Sequence, residues 1–353
     1  MRIGAAVSPY QHFGICRCDL PDEAGALHIQ FFEKDIDAAR NIGLDAFRTG
    51  VEWALLEPER GKYSKSWTTF FERYLSYIKE RGLELWLTAH HFTNPAWIWK
   101  EGGWESKNVV KYFLNYIDYT LRFFRKYIDY LLVFNEPEIY IYLAYLKGDL
   151  PPHGYLAYKH AERALKNIEE AIVGARDLAK SYGVSVSFTH PYRVYRARPP
   201  LLGWILTRIM PSTFELAEQM DVMAVNFYVV TEISLGRFRN VLEPEALLRL
   251  KGRRVAVTEY GIASRNEDVR LAYLCRMARV FKEIRPMAAI WWSFLHGYEW
   301  GLGYRPFFAL LDERRRPTRL ALAMRSVLEN PPEECGAVPQ DLGLEWRIAL
   351  EGA

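Results

Sequence analysis

The sequence predicts a (β/α)₈ TIM barrel in a single domain, and three observations support this fold class. The chain has 353 residues and half of them are apolar, which is enough to bury one large α/β core. Short runs of apolar and β-branched residues alternate with longer amphipathic stretches, as expected of consecutive strand–helix units. There are eight such runs, and eight parallel strands close this type of barrel.

Each predicted strand is followed by polar residues or by glycine and proline. The strands span residues 2–7, 45–49, 83–88, 130–134, 184–188, 221–226, 254–258 and 288–293. Helical periodicity between them predicts one apolar face formed by Phe32, Ile36, Ala39 and Ile42 and another formed by Phe70, Tyr74 and Ile78. Because no repeat or linker interrupts the pattern, we expect one barrel domain over residues 1–330. Residues 331–353 would form a tail that packs on the barrel or extends from it.

Composition and charge argue against several classes of protein. The 46 lysines and arginines nearly balance the 43 acidic residues, and the net charge of +3 does not indicate a nucleic-acid partner. No run approaches the roughly 18 apolar residues that a membrane span needs. Ser8 and Pro9 interrupt the N-terminal apolar run before a signal-peptide core would form, so we expect a cytoplasmic protein.

The cysteines predict neither a disulfide framework nor a metal site. There are four, Cys16, Cys18, Cys275 and Cys335, which is few for a framework in a chain of this length. The first two form C-x-C with no second pair after it, whereas a tetrahedral site needs four ligands at workable spacing.

Residues capable of catalysis follow most of the predicted strands. If the barrel closes, they meet at its C-terminal face, where TIM barrels carry their active sites. The strand ends carry Arg48, His90, His91, Asn135, Glu136, Asn226, Tyr228, Glu259 and Trp292. One such residue alone is more often structural than catalytic, so the indication lies in their convergence on one mouth.

Glu136 and Glu259 carry the strongest indication of function. Glu136 lies in VFNEP and Glu259 in VAVTEYG, each directly after an apolar strand. Two carboxyl groups across a pocket can cleave a glycosidic bond: one protonates the leaving oxygen, and the other attacks the anomeric carbon or activates water. Asn135 would donate a hydrogen bond to the sugar 2-hydroxyl, and Pro137, which has no N–H, would end the strand.

The chain resembles family 1 of the glycoside hydrolases, the retaining β-glucosidase and β-galactosidase family, from Gly4 to about Leu328. Seven motifs stand in family order: GAAVSPYQHFG, FRTGVEWALLEPERGKY, LTAHHFTNPAWIWKEGGW, VFNEP, DVMAVNFY, VTEYG and WWSFLHGYEWGLGYRPFF. The resemblance implies an exo-acting enzyme with Glu136 as acid/base and Glu259 as nucleophile.

The resemblance also implies roles for residues around the two glutamates. Arg48 and Tyr228 would hold the nucleophile. The non-reducing-end sugar would be held by Gln11, His91, Asn135, Glu299 and Trp300, with Trp292 as its platform and Phe308 as its wall. Arg48 would keep Glu259 ionised, and the negative Glu259 would raise the pKa of Glu136 so that it holds a proton near neutral pH. We therefore expect retention of configuration, which requires carboxyl groups about 5 to 5.5 Å apart.

Three departures from the family lie next to these motifs. Tyr260 stands where the family usually has asparagine, Phe92 stands where it has tryptophan, and His296-Gly297 replaces Asp-Asn. The chain is also short for this family, so we expect shortened loops around the fifth, sixth and last strands and a more open mouth.

The expected partner is a small β-glycoside or an oligosaccharide, and no cofactor is expected because two carboxyl groups supply the whole mechanism. Glu299 would bind O4 and O6 of the sugar in either configuration, so glucosides and galactosides are both predicted. A sugar 6-phosphate is not predicted as a substrate, since the motif GLGYRPFF offers only one cationic residue, Arg305. We interpret Trp292 and Trp300 as sugar contacts and Trp86 as core.

The stretch PYRVYRARPPLLGWILTRIMPS, residues 191–212, lies outside the family motifs and places four arginines around LLGWIL. It resembles a basic amphipathic segment that would contact a membrane surface or an alkyl aglycone through residues 198–210. A lid, or a helix packed on the barrel or on a neighbouring subunit, would have the same pattern.

Two alternative functions are compatible with parts of the sequence. An endo-acting glycanase of the same barrel clan would also carry both glutamates, although Gln11 and Glu299 favour exo action. A non-catalytic sugar-binding barrel would be expected to have lost one glutamate. Metal-dependent hydrolysis is not favoured, because the adjacent His90 and His91 would diverge on an extended backbone.

Overall fold

The structure, a computed structural model, describes residues 1–23, 25–198, 212–234 and 237–338. Its strands in these ranges are β1 (Arg2–Ala6), β2 (Ala46–Gly50), β3 (Glu84–Thr88), β4 (Tyr130–Asn135), β5 (Ser185–Pro191), β6 (Val194–Arg198), β7 (Met223–Asn226), β8 (Val230–Ser234), β9 (Arg237–Val241), β10 (Val255–Tyr260) and β11 (Ala288–Trp292). Strands β1, β2, β3, β4, β5, β7, β10 and β11 pair in this order and close into a barrel, with β11 returning to β1. The predicted fold class is confirmed.

Helices follow the barrel strands and pack around them. They are α1 (Pro9–His12), α2 (His28–Asn41), α3 (Trp53–Leu56), α4 (Lys65–Glu80), α5 (Lys107–Phe124), α6 (Pro137–Ile141), α7 (Tyr158–Ser181), α8 (Phe214–Glu218), α9 (Glu267–Ile284) and α10 (Arg319–Glu329). Short 3₁₀ turns cover Ala96–Glu101, Gly103–Glu105 and Pro244–Leu250, and a π-helical turn, Tyr142–Lys147, continues α6.

The eight predicted strands all lie in the barrel, with boundaries that differ by one to three residues. The largest difference is at β5, which continues to Pro191 because residues 189–191 pair with residues 224–226 of β7. At the start of the barrel, β1 and β2 approach so closely that a Cβ atom on Gly4 would lie 2.8 Å from the carbonyl oxygen of Ala46. Glycine is therefore needed there for space.

The predicted helix faces are correct for Phe32, Ile36 and Ala39 of α2 and for Tyr74 and Ile78 of α4, whereas Ile42 and Phe70 are only half-buried. Phe32, Ile36 and Ala39 of α2 are buried. In α4, the buried position is Phe71, whereas Phe70 is only half-buried. Both phenylalanines satisfy a helical period, so only the orientation of the helix on the barrel decided between them.

A three-stranded sheet lies outside the barrel, in the order β6-β8-β9. Its strand β6 follows β5 after two residues, and β8 follows β7 after three, so the sheet is attached to the C-terminal face between these two barrel strands. Val194 of β6 pairs with Val230 of β8. Of the segment predicted to contact a membrane or an alkyl group, residues 199–211 lie outside the described residues.

All four cysteines are paired, which corrects the expectation from their low number. Cys16 bonds Cys18, and Cys275 on α9 bonds Cys335 in the C-terminal tail. Arg279 of α9 also donates a hydrogen bond to the carbonyl oxygen of Pro332, at 2.7 Å. Residues 331–338 therefore lie against α9, a contact that sequence spacing does not reveal.

The described helices include none that is long and apolar enough to cross a membrane.

A substitution of Trp86 tests the prediction that this residue belongs to the hydrophobic core. Its side chain is fully buried in β3, stacks on Tyr130 with ring centroids 4.0 Å apart, and donates a hydrogen bond to Glu84. We expect Trp86→Ala to lower the free energy of unfolding by about 3–5 kcal/mol, because it removes a large packed ring. Urea denaturation followed by circular dichroism would measure this.

Leu322→Ala is the control, since Leu322 on α10 is 69% exposed and its loss should change the same free energy by less than about 0.5 kcal/mol. Equal effects of the two substitutions would show that Trp86 does not belong to the core.

Candidate active site

The polar side chains at the strand ends meet inside the C-terminal mouth of the barrel. Arg48 on β2 is 1% exposed and reaches across the mouth. Its Nη1 lies 2.5 Å from Oε1 of Glu259 on β10, and its Nη2 donates to Oδ1 of Asn135 on β4, at 2.7 Å. Its Nε donates to Oγ1 of Thr88 on β3. One buried guanidinium therefore connects four barrel strands.

Glu259 is held through both carboxylate oxygens. Arg48 contacts Oε1, and the hydroxyl of Tyr228 donates to Oε2 at 2.7 Å. The pairing register of β10 with β7 shifts between Val257 and Glu259, and such an irregularity re-aims a side chain. The carboxylate is thereby oriented, and its charge is balanced by a buried cation.

Glu136 stands in a different environment, one residue beyond the last pair of β4. Its backbone has a φ of +43°, a left-handed conformation, and its N–H donates to the carbonyl oxygen of Thr189 at 2.9 Å. Pro137 then begins α6 at the first helical position, where its missing N–H costs nothing. The sequence NEP thus marks a strand end, a strained turn residue and a helix start in succession.

The two carboxyl groups differ in the protonation state that their surroundings favour. Burial raises the pKa of Glu136 to about 8, and the negative charge of Glu259 adds to this effect. A hydrogen bond from Asn226 and the charges of Arg193 and Arg48 oppose it. Glu136 therefore holds its proton near neutral pH beside a carboxylate that is paired with arginine.

Asn226 is a site residue whose role sequence reasoning missed. Its Nδ2 donates to Oε1 of Glu136 at 3.0 Å and to Oδ1 of Asn135 at 3.2 Å, and its Oδ1 accepts from Thr258. The sequence placed Asn226 at a strand end and inside a family motif, but no pattern in one chain predicts which side chain it contacts.

Asn135 is oriented by three donors on a single oxygen. Arg48, Thr189 and Asn226 all donate to its Oδ1. Its Nδ2 faces the mouth beside Nε2 of His91, at 3.3 Å. An amide nitrogen carries two N–H groups, so one remains to donate to a substrate hydroxyl.

The adjacent histidines diverge. His91 faces the mouth, and burial together with the positive charge of Arg48 lowers its pKa, so it is neutral. His90 faces the other way, where Nε2 contacts Asn94 and the ring stacks on Phe134.

The β1 and β11 side of the mouth is closed by a hydrogen-bonded group of side chains. Nε2 of Gln11 donates to Oε2 of Glu299 at 3.3 Å, and Nε1 of Trp292 donates to Oε1 at 3.0 Å. Ser8 in turn donates to Oε1 of Gln11, at 2.7 Å. Burial raises the pKa of Glu299 to about 8, with a further contribution from the charge of Glu259.

Aromatic rings complete this side. Trp292 stacks on His91 with centroids 5.7 Å apart, and Trp300 stacks on Tyr10 at 4.9 Å. The indole N–H of Trp300 is buried and has no acceptor within the described part of the chain. Phe308 lies edge-on to Tyr228, which donates to Glu259, with ring centroids 6.1 Å apart. All the predicted sugar-contact residues therefore face this mouth.

The departures from the family leave the two glutamates untouched. Tyr260 turns away from the mouth and packs edge-on against Trp291 and Phe281 of α9. Phe92 lies beside Trp300 at 5.2 Å. At Gly297, a Cβ atom would lie 2.5 Å from the carbonyl oxygen of Gln11, so no larger residue fits this backbone.

Comparisons with known proteins agree with this geometry. A family model described as glycosyl hydrolase family 1 matches residues 19–199. The protein β-glucosidase-like SFR2, chloroplastic, from Oryza sativa subsp. japonica is 26% identical over 338 residues, which cover 79% of this chain and 51% of that protein. Galactolipid galactosyltransferase SFR2, chloroplastic, from Arabidopsis thaliana is 26% identical over 331 residues, covering 79% of this chain and 53% of that protein. The chain thus spans about half the length of the curated relatives it matches.

A solved structure of a β-glycosidase from Pyrococcus horikoshii superimposes with a TM-score of 0.85 at 22% identity and covers 94% of both chains. At 22% identity this similarity is evidence for the fold alone.

Asn226→Ala should raise the pKa of Glu136 above its value of about 8, because the lost hydrogen bond favoured the charged form. The midpoint of Glu136 titration, followed by NMR of protein labelled with ¹³C at the glutamate carboxyl carbons, measures this change, and Glu136→Gln assigns the signal.

Thr258→Val is the matched control, since Thr258 contacts Asn226 and not Glu136. It should move the midpoint less and in the same direction. A midpoint that stays at the wild-type pH in Asn226→Ala would contradict the role given to Asn226.

Proposed function

Because the chain belongs to glycosyl hydrolase family 1, we propose that it is an exo-acting retaining β-glycosidase that cleaves β-glucosides, β-galactosides or both. The observation that carries this proposal is the unequal environment of two carboxyl groups at one mouth, the buried Glu259 and the half-buried Glu136. Glu259 is clamped by Arg48 and Tyr228, whereas the pKa of Glu136 is raised to about 8. Paired carboxyl groups with opposite protonation preferences are the equipment for glycosidic cleavage.

The first step is the attack of Glu259 on the anomeric carbon. Arg48 and Tyr228 keep the carboxylate ionised and fix its orientation, which lowers the entropic cost of reaching the transition state. Glu136 gives its proton to the glycosidic oxygen as that bond breaks. The product of this step is an ester between Glu259 and the sugar.

The second step reverses the role of Glu136. Once Glu259 is esterified its negative charge is gone, and one cause of the raised pKa of Glu136 disappears. Glu136 then accepts a proton from a water molecule that attacks the anomeric carbon. Two inversions at this carbon give net retention. A separation of about 5 to 5.5 Å between the two carboxyl groups, which this mechanism requires, stays a prediction.

Exo action is favoured by the closed β1 and β11 side of the mouth. Gln11 and Trp292 both donate hydrogen bonds to Glu299 there, and this bonded group would block a continuing saccharide chain. The endo-acting alternative requires this side to be open. The configuration of the sugar at C4 stays open, because a carboxyl group such as Glu299 serves an axial or an equatorial hydroxyl.

A second candidate is transfer of the glycosyl unit to an acceptor other than water. The two SFR2 relatives, one of them named a galactolipid galactosyltransferase, align over 79% of this chain. The glycosyl ester on Glu259 would react with any hydroxyl that Glu136 can deprotonate, so the acceptor bound at the mouth decides between hydrolysis and transfer.

Two further expectations stay predictions. One is the contact of residues 198–210 with a membrane surface or an alkyl aglycone. The other is the cytoplasmic location. The pairs Cys16–Cys18 and Cys275–Cys335 give a reason to test it, since disulfides are rare in the cytosol outside hyperthermophiles.

Glu259→Ala should lower the release of 4-nitrophenol from the favoured 4-nitrophenyl β-glycoside by roughly a thousandfold or more. Added azide should restore part of the rate and yield an α-glycosyl azide, because azide fits the space of the lost carboxylate. Absorbance at the nitrophenolate band and NMR of the product measure both.

Glu52→Gln serves as the control, because Glu52 is also a buried glutamate after a barrel strand but contacts Thr93 and the backbone of α3. It should retain most of the activity. A β-glycosyl azide from Glu259→Ala, or unchanged activity, would exclude Glu259 as nucleophile.

Transfer predicts that 4-nitrophenol is released from 4-nitrophenyl β-galactoside faster than free galactose when a galactolipid is present in detergent micelles. The difference should appear by mass spectrometry as a lipid carrying one more hexose. Equal release of the two products at every lipid concentration would exclude transfer and leave hydrolysis.

A further inference from the structure

The mouth has a second side, opposite the closed one. In the closed barrel, β5 lies four strands from β1 in either direction, so the loop after β5 faces the loop that carries Gln11. If the sugar lies against Gln11 and the residues after β11, the leaving group extends toward β5. Arg193 is the second residue after β5.

The backbone on both sides of Arg193 is fixed. The N–H of Tyr192 donates to the carbonyl oxygen of Asn226 at 2.9 Å, and Asn226 contacts the carboxyl group of Glu136. Val194 pairs with Val230 in the three-stranded sheet. Arg193 is therefore anchored beside the residue that positions the acid/base.

Arg193 differs from its neighbours in its charge balance. Its side chain is half-buried, and its Nη1 donates to the hydroxyl of Tyr195 at 3.2 Å. Within the described ranges no carboxylate lies at ion-pair distance from it. By contrast, Arg196, three residues on, is paired with Glu243, and Arg253 is paired with Glu218.

Two glutamates feel the charge of Arg193 without pairing with it. Its positive charge acts on both Glu136 and Glu138. Oε1 of Glu138 accepts from the N–H and the hydroxyl of Thr213 and lies 3.3 Å from Nδ1 of His190, so its contacts are with Thr213 and His190. An anion bound to Arg193 would neutralise this charge and raise the pKa of Glu136 further.

We propose that Arg193 binds an anionic group on the leaving-group side of the substrate, so that the protein acts on β-glycosides whose aglycone carries a carboxylate or a phosphate ester. This inference rests on the proposed glycosidase function. The planar guanidinium, which donates to neutral Tyr195 through one nitrogen, has further N–H groups to offer and suits two-point recognition of either anion.

The test compares substrates that differ only in this charge. One pair is 4-carboxyphenyl β-glucoside and its methyl ester; a second pair is β-glucosyl glycerol phosphate and β-glucosyl glycerol. For the wild type, we expect kcat/KM to favour the anionic member of at least one pair. In Arg193→Met, kcat/KM for that anionic member should fall by about tenfold or more, while the neutral member changes less than about threefold.

The two pairs separate the sources of the anion. A loss confined to the carboxylate pair or to the phosphate pair would identify which group Arg193 binds. Arg193→Lys should recover part of the loss, since it keeps the charge without the planar fork. Arg196→Met is the matched control and should leave the ratio within each pair unchanged, because Arg196 already has a carboxylate partner.

Equal losses on the neutral and anionic members in Arg193→Met would overturn the proposal and leave Arg193 as a residue that only influences Glu136. If the wild type cleaves the neutral and the anionic member of both pairs with equal kcat/KM, the proposal is overturned while the glycosidase function stands. If no β-glycoside is cleaved at all, the glycosidase function fails, and calorimetric titration with 4-hydroxybenzoate and glycerol phosphate still tests the site. Arg193-dependent binding of either anion supports it, and no binding overturns it.

Discussion

The buried ion pair between Arg48 and Glu259 is the interaction on which the site depends. Arg48 is 1% exposed, so its charge has been removed from water, and only close partners balance that cost. Thr88, Asn135 and the carbonyl oxygen of Thr258 accept hydrogen bonds from three of the four remaining N–H groups of the guanidinium. The same contacts hold four strands in register at the mouth. The arginine therefore supports the fold and orients the carboxylate of Glu259 at once.

From this pair follows the unequal treatment of the two glutamates. Glu259 has a cation and a hydroxyl on its two oxygens, whereas Glu136 has a neutral amide, Asn226, and lies within the field of Glu259. Burial penalises the charge of Glu136 without a matched cation in contact. Two identical side chains thus acquire opposite protonation preferences, and the proposed mechanism needs both.

The mouth is divided between a closed side and an accessible one. Gln11, Trp292 and Glu299 satisfy one another on the closed side, which suits one sugar ring of defined orientation. The other side is bordered by the loop after β5 and the three-stranded sheet, where Arg193 offers charge in place of a closed hydrogen-bond network. The two sides of the mouth therefore differ in how completely their side chains satisfy one another.

The sequence by itself determined the eight barrel strands, the position of both glutamates at strand ends and the family. These features depend on local alternation and on motifs of consecutive residues, which a single chain displays directly. Only the tertiary structure decided that Asn226 contacts Glu136, that Tyr260 turns away from the mouth, that Phe71 and not Phe70 is buried, and that Cys275 meets Cys335 across 60 residues. Each of these depends on the direction in which a side chain points once strands and helices are packed. That direction is set by register and by contacts between distant segments, which no local pattern contains.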